Sequence, residues 1–354
     1  MDKRLTILIT PLDWGLGHAT RCVPLINELN AMGHRVIIAA SGSGFTYLQL
    51  VFPNVEIIRL REYAIKYFKN AFLTYLYNAL NIPLRIWQDR KALSEILKKY
   101  DVDLIISDNR FGFYSNYIPS VFVTHQLNIQ HPIKLFKWLI NKLNKFIIKK
   151  YDEIWVVDDQ KLDFAGKLSA ENIQSRIVYI GLLPSIEAKI SNEESIQYLL
   201  ILSGPEPMKS IWLNGVCQKF FDSGMQLNIV GEAANVDGRY QNIEGIKFYG
   251  QLSGQDLADC ISRSEYIISR SGYSTLMDLS GFGKKLILIP TPHQPEQIYL
   301  ANYFQEKGWA ISIAQDEFTK VEIGILIQMI VVMPKFIREE SLKLILEKRL
   351  KKLV

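Results

Sequence analysis

Residues 5–40 read LTILITPLDWGLGHATRCVPLINELNAMGHRVIIAA. The apolar run 5–10 predicts a buried strand, which Pro11 and two following glycines end. Apolar residues at helical spacing then predict a helix that ends near Gly33, and the run 35–40 predicts a second strand. This stretch therefore predicts a β-α-β unit, in which the first loop opens directly onto the N-terminus of a helix.

Similar apolar runs recur along the whole chain. They fall at 55–60, 103–107, 120–124, 153–157 and 177–181, and then at 198–202, 226–230, 246–249, 266–269 and 286–290. Continuous apolar runs are typical of parallel sheets that helices cover on both faces. Two such series in tandem predict an α/β fold of two doubly wound, Rossmann-like domains that face a central cleft.

The predicted domain boundary follows the last run of the first series. We place the N-terminal domain at 1–184 and the C-terminal domain at 185–333, because the polar stretch 191–195 separates the two series. The segment 334–354 is basic and amphipathic, which predicts a final helix that can pack back on the N-terminal domain.

The bulk composition narrows the functional class. A chain of 354 residues with 48% hydrophobic residues predicts two ordinary globular domains. A net charge of +5 suits an anionic ligand or an anionic membrane surface, and it is too small to argue for nucleic acid. Three scattered cysteines without a CxxC pair indicate neither a metal knuckle nor a disulfide framework, and they fit a reducing cytoplasm. We expect no signal peptide and no membrane-spanning segment.

The first glycine loop carries a candidate catalytic residue. Gly15 and Gly17 let the backbone approach a ligand closely, and His18 follows them at the start of the predicted helix. The loop has no third glycine in register and no acidic residue closes the second strand, so a nicotinamide dinucleotide is disfavoured. An imidazole there can act as a general base. The alternative is that His18 only caps the loop.

A second glycine-containing segment, SRSGYSTLMD at 269–278, also lies between a strand and a helix. Arg270 adds a fixed positive charge, and Ser271 and Thr275 add hydroxyl groups near a phosphate-sized site. Asp278 could accept both hydroxyls of a ribose. The alternative is a well-capped helix with one charged residue.

Two further loops are candidates for the donor side. In PTPHQPEQ at 290–297, Glu296 and Gln297 offer paired acceptors and donors for the hydroxyls of a hexose, or they cap the next helix. Gly204 lies in the first β-α turn of the second domain. At this position a glycine can face a phosphate or the acceptor, and the alternative is that it only makes the turn.

Polar residues at predicted strand ends in the first domain are candidates for the acceptor side. Asp108 ends one strand, and His125 and Asn128 follow another. Open α/β sheets bind their ligands at this edge. Three roles stay open for these residues: they line an acceptor pocket, one of them supplies the base, or they are structural.

Together these motifs resemble the GT-B glycosyltransferase superfamily, and within it the branch of the N-acetylglucosaminyltransferase that completes the lipid-linked peptidoglycan precursor. The resemblance spans nearly the whole chain. It implies that the donor lies on the 269–278 and 290–297 segments and that the acceptor lies on the N-terminal domain. From the loop positions and the resemblance together, the predicted donor-side residues are Gly204, Arg270, Ser271, Gly272, Ser274, Thr275, Asp278, Glu296 and Gln297. The acceptor-side residues are Gly15, Gly17, Asp108, His125 and Asn128, with His18 as the base.

The activity that the resemblance implies is transfer of a hexose or N-acetylhexosamine from a UDP-sugar to a glycan or lipid-linked acceptor. Inversion at the anomeric carbon is expected, with no bound metal and no cofactor besides the UDP-sugar. Departures fall on the acceptor side: Gln126 replaces an acid, and Pro205-Glu206-Pro207 replaces a Gly-Ser-Gln-Gly run. We therefore expect a different acceptor from that of the peptidoglycan enzyme. The Gly-Leu-Gly-His-Ala-Thr-Arg loop is more similar to a less defined group of related transferases.

The segment 131–151 predicts an amphipathic helix with one apolar face, one lysine-rich face and no acidic residue. Such a helix could lie on anionic lipid, and the aromatic and basic stretch 63–90 favours this as well. The alternative is a surface helix whose apolar face packs on the sheet. The membrane hypothesis predicts a cytoplasmic protein bound to the inner face of the cell membrane.

Two competing functions stay open at this point. A nucleotide-sugar hydrolase or epimerase on the same architecture would carry the same donor motifs. A non-catalytic protein that binds nucleotide sugars or glycans would bind the donor without turnover and would be indifferent to His18→Ala.

Overall fold

The computed structural model describes residues 4–63, 71–159, 163–170, 176–188, 194–204, 206–240, 244–329, 331–338 and 340–354, without the side chains of 71–80. These residues form two compact units. Unit 1 comprises Met1–Leu183 and Arg338–Val354, and unit 2 comprises Pro184–Ile337. Pro205, most of the polar stretch 191–195 and residues 64–70 of the aromatic stretch lie outside the described residues.

Unit 1 is built on a seven-stranded parallel sheet in the order β3-β2-β1-β4-β5-β6-β7. Its strands are β1 (Thr6–Pro11), β2 (Arg35–Ala40), β3 (Glu56–Arg59), β4 (Leu104–Asp108), β5 (Ser120–Thr124), β6 (Glu153–Val156) and β7 (Ile177–Tyr179). The strand order reverses between β1 and β4, so the loops after these two strands diverge and leave room for a ligand. The loop after β1 and the last residue of β4 carry predicted site residues.

Helices cover the sheet of unit 1. They are α1 (Gly17–Ala31), α2 (Gly42–Val51), α3 (Ala71–Lys99) and α4 (Lys134–Ile148). The second half of α3 packs Leu93 and Ile96 against Leu8 and Ile105 of the central strands. These contacts bury apolar surface of both the helix and the sheet.

Unit 2 repeats the design with six parallel strands in the order β10-β9-β8-β11-β12-β13. They are β8 (Ile196–Ile201), β9 (Leu227–Val230), β10 (Ile246–Phe248), β11 (Ser264–Ser269), β12 (Lys285–Leu288) and β13 (Ile311–Ser312). The strand order reverses between β8 and β11. The Gly204 loop follows β8, and the 269–278 segment follows β11.

The helices of unit 2 are α5 (Met208–Ser223), α6 (Gly254–Arg263), α7 (Tyr273–Leu279), α8 (Pro295–Glu306), α9 (Gln315–Phe318) and α10 (Ile323–Gln328). The main core forms where α5 packs Trp212 and Phe220 on β8, β11 and β12. The helix ends at Gly224, whose positive φ of 64° gives the left-handed C-cap that glycine favours.

The last helix, α11 (Leu342–Leu353), is shorter than the predicted helix over 334–354, and that part of the prediction is wrong. The helix begins at Ser341, whose hydroxyl accepts a hydrogen bond from the backbone N–H of Leu344. The described residues before it are extended, and Met333 donates a backbone hydrogen bond to Lys284 instead. Lys352 of α11 contacts the buried Glu153, so the helix is part of unit 1.

The prediction of two doubly wound parallel-sheet domains is confirmed. The predicted strands are present, each with bounds that are unchanged or shifted by at most two residues, and among the described residues only the two-residue β13 was not anticipated. Cys22, Cys217 and Cys260 are free and buried. Within the described ranges, no helix combines the length and the apolar character that crossing a membrane requires.

Candidate active site

Unit 1 carries one group of candidate residues, at the point where its strand order reverses. Gly15 has a φ of 79°, which allows the tight turn from β1 into α1, and Gly17 is the first residue of that helix. His18 therefore stands in the first turn of α1. Asp108 ends the neighbouring strand β4. The topology thus brings together two candidates that lie far apart in sequence.

His18 and Asp108 are in direct contact. The His18 Nδ1 atom lies 3.1 Å from Asp108 Oδ1, while the His18 side chain is 15% exposed and Asp108 is fully buried. No hydrogen bond to His18 Nε2 occurs among the described residues. A base that is oriented through one ring nitrogen and open at the other is the arrangement that general base catalysis needs.

Arg21, one turn after His18, completes this cluster. Its Nε donates to Asp108 Oδ2 at 2.6 Å, and its Nη2 donates to Asp108 Oδ1, so the pair is bidentate. Nη2 also lies 2.8 Å from His18 Nδ1. Arg21 was not among the predicted site residues. The signal was available, because His18 and Arg21 are three residues apart on a helix and share one face.

The electrostatics of the cluster follow from this ion pair. Burial alone would raise the pKa of Asp108, but the charges of Arg21 and His18 outweigh burial and hold that pKa well below its usual range. Asp108 is therefore a carboxylate at neutral pH. Burial, together with the Asp108 charge, raises the pKa of the Cys22 thiol well above its usual value, so Cys22 is a neutral neighbour.

His125 joins the same cluster, and Asn128 does not. His125 follows β5, is nearly buried, and places its Nδ1 2.8 Å from Arg21 Nη1. The Asn128 side-chain amide donates to the carbonyl oxygens of Lys167 and Ala170, so it ties two loops together. Its role in binding an acceptor stays a prediction.

A second buried ion pair, which the sequence analysis missed, supports the first glycine loop. Arg110 Nε lies 3.0 Å from Asp89 Oδ1, and Arg110 Nη1 lies 3.0 Å from the Ser41 hydroxyl. Ser41 in turn donates to Asp13 of the glycine loop at 2.9 Å, and the backbone N–H of Tyr63 donates to the same Asp13 oxygen. This chain of hydrogen bonds fixes the loop that leads to His18.

Unit 2 carries a separate group of candidate residues. Gly204, after β8, is exposed with a φ of 111°, and a side chain added there would meet no atom within 4 Å. Glu206 reaches over the start of α5 and accepts hydrogen bonds from the N–H and hydroxyl of Ser210, and from the N–H of Ala234. These bonds overcome the opposing effect of burial and lower the pKa of Glu206. The carboxylate thus satisfies donors that an anionic ligand could otherwise use.

The two predicted donor segments are joined by side chains. Ser271 is fully buried and its hydroxyl donates to the carbonyl oxygen of Gln297 at 2.7 Å. The side-chain oxygen of Gln297 accepts the N–H of Thr291 at 2.8 Å. A side chain at Gly272 would lie 3.9 Å from Gln297 Nε2 and 4.0 Å from Thr275 Oγ1, so these two groups converge on the space that the glycine leaves.

Arg270 is 1% exposed and its guanidinium points into unit 2. It donates to the carbonyl oxygens of Ile289 and Pro290 and to Gln315, and it lies 4.2 Å from the centre of the Trp212 ring. Burial lowers its pKa to about 9, which still leaves a cation at neutral pH. No carboxylate forms a salt bridge with it among the described residues. The contacts are those of a residue that shapes the loop, and direct contact with a diphosphate stays a prediction.

Asp278 is partly buried and already has one partner. Its Oδ1 accepts the backbone N–H of Ser185 at 2.6 Å. Burial raises its pKa to about 6, although the hydrogen bonds from Ser185 oppose the shift. A ribose could therefore use only the remaining acceptor capacity of Asp278. Three other predicted donor residues, Ser274, Thr275 and Glu296, are partly exposed in the first turns of α7 and α8.

Known proteins that are similar to this chain are glycosyltransferases. Residues 230–352 match the glycosyltransferase family 28 C-terminal domain. A Clostridium botulinum protein, UDP-N-acetylglucosamine–N-acetylmuramyl-(pentapeptide) pyrophosphoryl-undecaprenol N-acetylglucosamine transferase, is 24% identical over 316 residues, which cover 85% of this chain and 83% of that protein. The calicheamicin glycosyltransferase CalG4 aligns with a TM-score of 0.67 and 13% identity over 93% of this chain and 90% of its own. MurG of Acinetobacter baumannii aligns with a TM-score of 0.57 and 12% identity over 99% of this chain and 100% of its own.

The predicted resemblance to GT-B glycosyltransferases is confirmed. The alignments with CalG4 and MurG establish the fold, and the family 28 domain together with the related transferases identifies the chain as a glycosyltransferase. These findings favour an enzyme over the non-catalytic nucleotide-sugar-binding protein.

Proposed function

We propose that this glycosyltransferase moves a hexose or N-acetylhexosamine from a UDP-sugar to a glycan or lipid-linked acceptor. The reaction inverts the anomeric carbon and needs no metal ion. The family 28 match on residues 230–352 supports a nucleotide-sugar donor on unit 2. The name of the Clostridium botulinum relative supports UDP-N-acetylglucosamine as the first donor to test and a lipid-linked acceptor as the first acceptor.

On unit 2, the donor diphosphate is assigned to the backbone and hydroxyl groups at 272–275. Gln297 Nε2 and Thr275 Oγ1 converge beside Gly272, where the missing side chain leaves room for a ligand. Arg270 acts from behind this loop, because a buried cation that has no carboxylate partner in the described part of the chain raises the local potential for an anion. Asp278 takes a ribose hydroxyl, and Glu296 takes a hydroxyl of the transferred sugar.

In the chemical step, the acceptor hydroxyl attacks the anomeric carbon from the side opposite the leaving group. The new bond joins the acceptor oxygen to that carbon, and the bond from the carbon to the UDP phosphate oxygen breaks. His18 Nε2 takes the hydroxyl proton, and UDP leaves with the electron pair. A single displacement of this kind inverts the configuration. Donors at 272–275 stabilise the charge that develops on the diphosphate.

The observation that carries the proposal is the 3.1 Å contact between His18 Nδ1 and the carboxylate of Asp108. A buried carboxylate at this distance orients the ring and stabilises the imidazolium that forms when Nε2 takes a proton. In the glycine loop this geometry gives His18 a chemical role that a helix cap would not need.

The test measures sugar transfer from radiolabelled UDP-N-acetylglucosamine and other UDP-hexoses to a lipid extract, with a metal chelator present. We expect transfer by the wild type, and a loss of about 10²–10⁴-fold in His18→Gln. His34→Gln is the matched control, because His34 also forms a hydrogen bond at Nδ1, where it accepts the N–H of Leu5, but lies outside the cluster. Free sugar without any transfer product would favour the hydrolase, and loss of transfer with the chelator would contradict metal independence.

The helix α4 supports a lipid surface as the setting of the acceptor. Only Asn144 and Ile148 of this helix are buried, while Trp138, Leu139, Leu143 and Phe146 are each more than half exposed. Leu139 and Phe146 lie on the side of the helix away from the two buried residues. The apolar face therefore does not pack on the sheet as the alternative interpretation requires, and six lysines between 134 and 150 flank it without any acidic residue.

This helix is also linked to the loop that carries His125. The Asn141 side chain accepts the backbone N–H of Ile129 at 2.8 Å and donates to the Ile129 carbonyl oxygen at 2.9 Å. An anionic bilayer held by α4 would thus lie next to the acceptor side of unit 1. We propose that α4 binds such a surface and presents a lipid-linked acceptor there.

A further inference from the structure

His293 has a left-handed backbone conformation that residues other than glycine seldom adopt. Its φ is 62°, and it lies in the loop between β12 and α8. The backbone N–H of Gln294 donates to the carbonyl oxygen of Thr291 at 3.2 Å, so residues 291–294 form a tight turn. A proline at the second position and a positive φ at the third are the pattern of a type II turn, in which the third residue is usually glycine or asparagine.

The neighbours of His293 fix the conformation of this turn. Prolines one residue before it and two residues after it restrict φ on both sides. The side-chain oxygen of Gln297 accepts the N–H of Thr291 at 2.8 Å, and the carbonyl oxygen of Gln297 accepts the hydroxyl of Ser271. The turn is therefore joined to the loop after β11, and its shape is set before any ligand binds.

Stability alone does not explain the sequence of this turn. A residue other than glycine in the left-handed conformation costs stability, because its Cβ crowds the backbone. Thr291 adds a second cost, since it is 6% exposed and its Oγ1 makes no hydrogen bond within the described part of the chain. Glycine at position 293 would remove the first cost. The imidazole that stands there instead points to a contact outside the folded chain.

The ring of His293 is open to such a contact. The residue is exposed, and its imidazole makes no hydrogen bond or ion pair with the residues that the structure describes. A neutral imidazole carries one N–H donor and one acceptor nitrogen, and a sugar hydroxyl can both donate and accept. Glu296, to which a hydroxyl of the transferred sugar is assigned above, lies three residues further along the chain. The chemistry and the position of the ring therefore fit the sugar part of the donor.

We propose that His293 is a sugar-binding residue whose imidazole forms a hydrogen bond with a hydroxyl group of the sugar that the donor carries. This assignment rests on the proposed function, because it takes a UDP-sugar as the ligand. His293 has no part in binding the nucleotide. The crowded turn itself is a property of the free protein.

Two substitutions separate the effect of the ring from the effect of the backbone. His293→Gly removes the imidazole and relaxes the left-handed conformation, whereas His293→Ala removes the imidazole and keeps the crowded Cβ. We expect the midpoint of thermal unfolding, Tm, to be about 2–4 °C higher in His293→Gly than in His293→Ala. Equal Tm values would overturn the claim that a side chain at 293 strains the turn.

The contact with the sugar is measured by calorimetry at pH 8, with UDP-N-acetylglucosamine, UDP-glucose and UDP-galactose, and with UDP for comparison. For the UDP-sugar that the wild type prefers, we expect the Kd to rise about three- to tenfold in both variants, while the Kd for UDP stays the same. His293→Asn tolerates the left-handed conformation and keeps one donor and one acceptor, so it should recover part of the loss.

Three outcomes would contradict the assignment. An unchanged Kd for every UDP-sugar in both variants would overturn the role of His293 and leave the proposed function in place. An equal rise in the Kd for UDP would also overturn that role, because the ring would then contact the nucleotide. A wild type that binds none of the UDP-sugars would overturn the proposed function, and the role of His293 with it.

Discussion

The hydroxyl of Ser271 donates a hydrogen bond of 2.7 Å to the carbonyl oxygen of Gln297, and both residues are buried. This bond ties the loop after β11 to the first turn of α8, so the two segments predicted to hold the donor behave as one structural piece. Gln297 extends the connection, because its side-chain oxygen also accepts the N–H of Thr291. The conformation of the two predicted donor-binding segments thus depends on hydrogen bonds within the protein, between groups that do not themselves contact the donor.

Ser271→Ala should weaken donor binding without touching the donor. Loss of the bond to Gln297 frees the α8 turn and costs about 0.5–1.5 kcal/mol of stability. We expect the Kd for the UDP-sugar, measured by calorimetry, to rise severalfold. Ser280→Ala is the matched control, since the buried Ser280 hydroxyl donates to the Met277 carbonyl at 2.7 Å in the same unit. An equal effect of both substitutions on the Kd would contradict this account.

Asp278 should make donor binding depend on pH. Its pKa is raised to about 6 by burial, so the carboxylate that accepts a ribose hydroxyl is lost as the pH falls below 6. We expect the affinity for a UDP-sugar to fall between pH 7 and pH 5 in the wild type and to be independent of this titration in Asp278→Asn. The ligand is a UDP-sugar because the terminal phosphate of UDP itself titrates near pH 6.

The raised pKa of Asp278 also determines whether the free energy of unfolding rises or falls with pH. Between the unfolded value of about 3.9 and the folded value of about 6, the folded state binds more protons than the unfolded state. The free energy of unfolding should therefore fall as the pH rises from 4 to 6, by about 2–3 kcal/mol from this group. Urea unfolding of the wild type and Asp278→Asn across this range gives the difference. A steeper loss in Asp278→Asn than in the wild type would be the wrong sign.

The exposed apolar face of α4 should bind anionic vesicles. Leu139→Glu together with Phe146→Glu puts negative charge on that face, and we expect binding to vesicles that contain phosphatidylglycerol to fall at least tenfold in flotation assays. Leu50→Glu is the control, because Leu50 is an even more exposed apolar residue and lies on α2. Binding of the wild type should also weaken with salt and be absent with neutral vesicles. Vesicle binding that is unaffected by the double substitution would contradict the proposal that α4 binds the lipid surface.

Much of the fold was predictable because buried parallel strands have a simple sequence signature. Apolar runs such as 35–40 and 120–124 became β2 and β5 with unchanged bounds. The C-terminal end of α11 was predicted to within one residue, but its start was not. Basic residues also occur before Ser341, where the described residues make no helical hydrogen bonds. The two-residue β13 has too few residues for any pattern to mark it.

The sequence predicted where the candidate site residues lie better than it predicted what their side chains contact. His18 and Asp108 follow strands that end at the switch point of one sheet, and this can be inferred from the order of motifs. The direction of a long side chain cannot be inferred in that way. Arg270 turns inward onto Trp212, and Arg21 turns inward onto Asp108, because buried carbonyl and carboxylate groups there satisfy the guanidinium donors.

The central claim is that unit 2 binds a UDP-sugar through the 269–278 segment. The most direct measurement is calorimetric titration, without metal, of UDP-N-acetylglucosamine, UDP-glucose, UDP-galactose and GDP- and TDP-sugars into the wild type, Asp278→Ala and Asp256→Ala. Asp256 is an exposed carboxylate of α6 and serves as the control. The account predicts selective micromolar binding of a UDP-sugar that is lost in Asp278→Ala and kept in Asp256→Ala. Absence of binding by every nucleotide sugar, or equal binding by all three proteins, would contradict it.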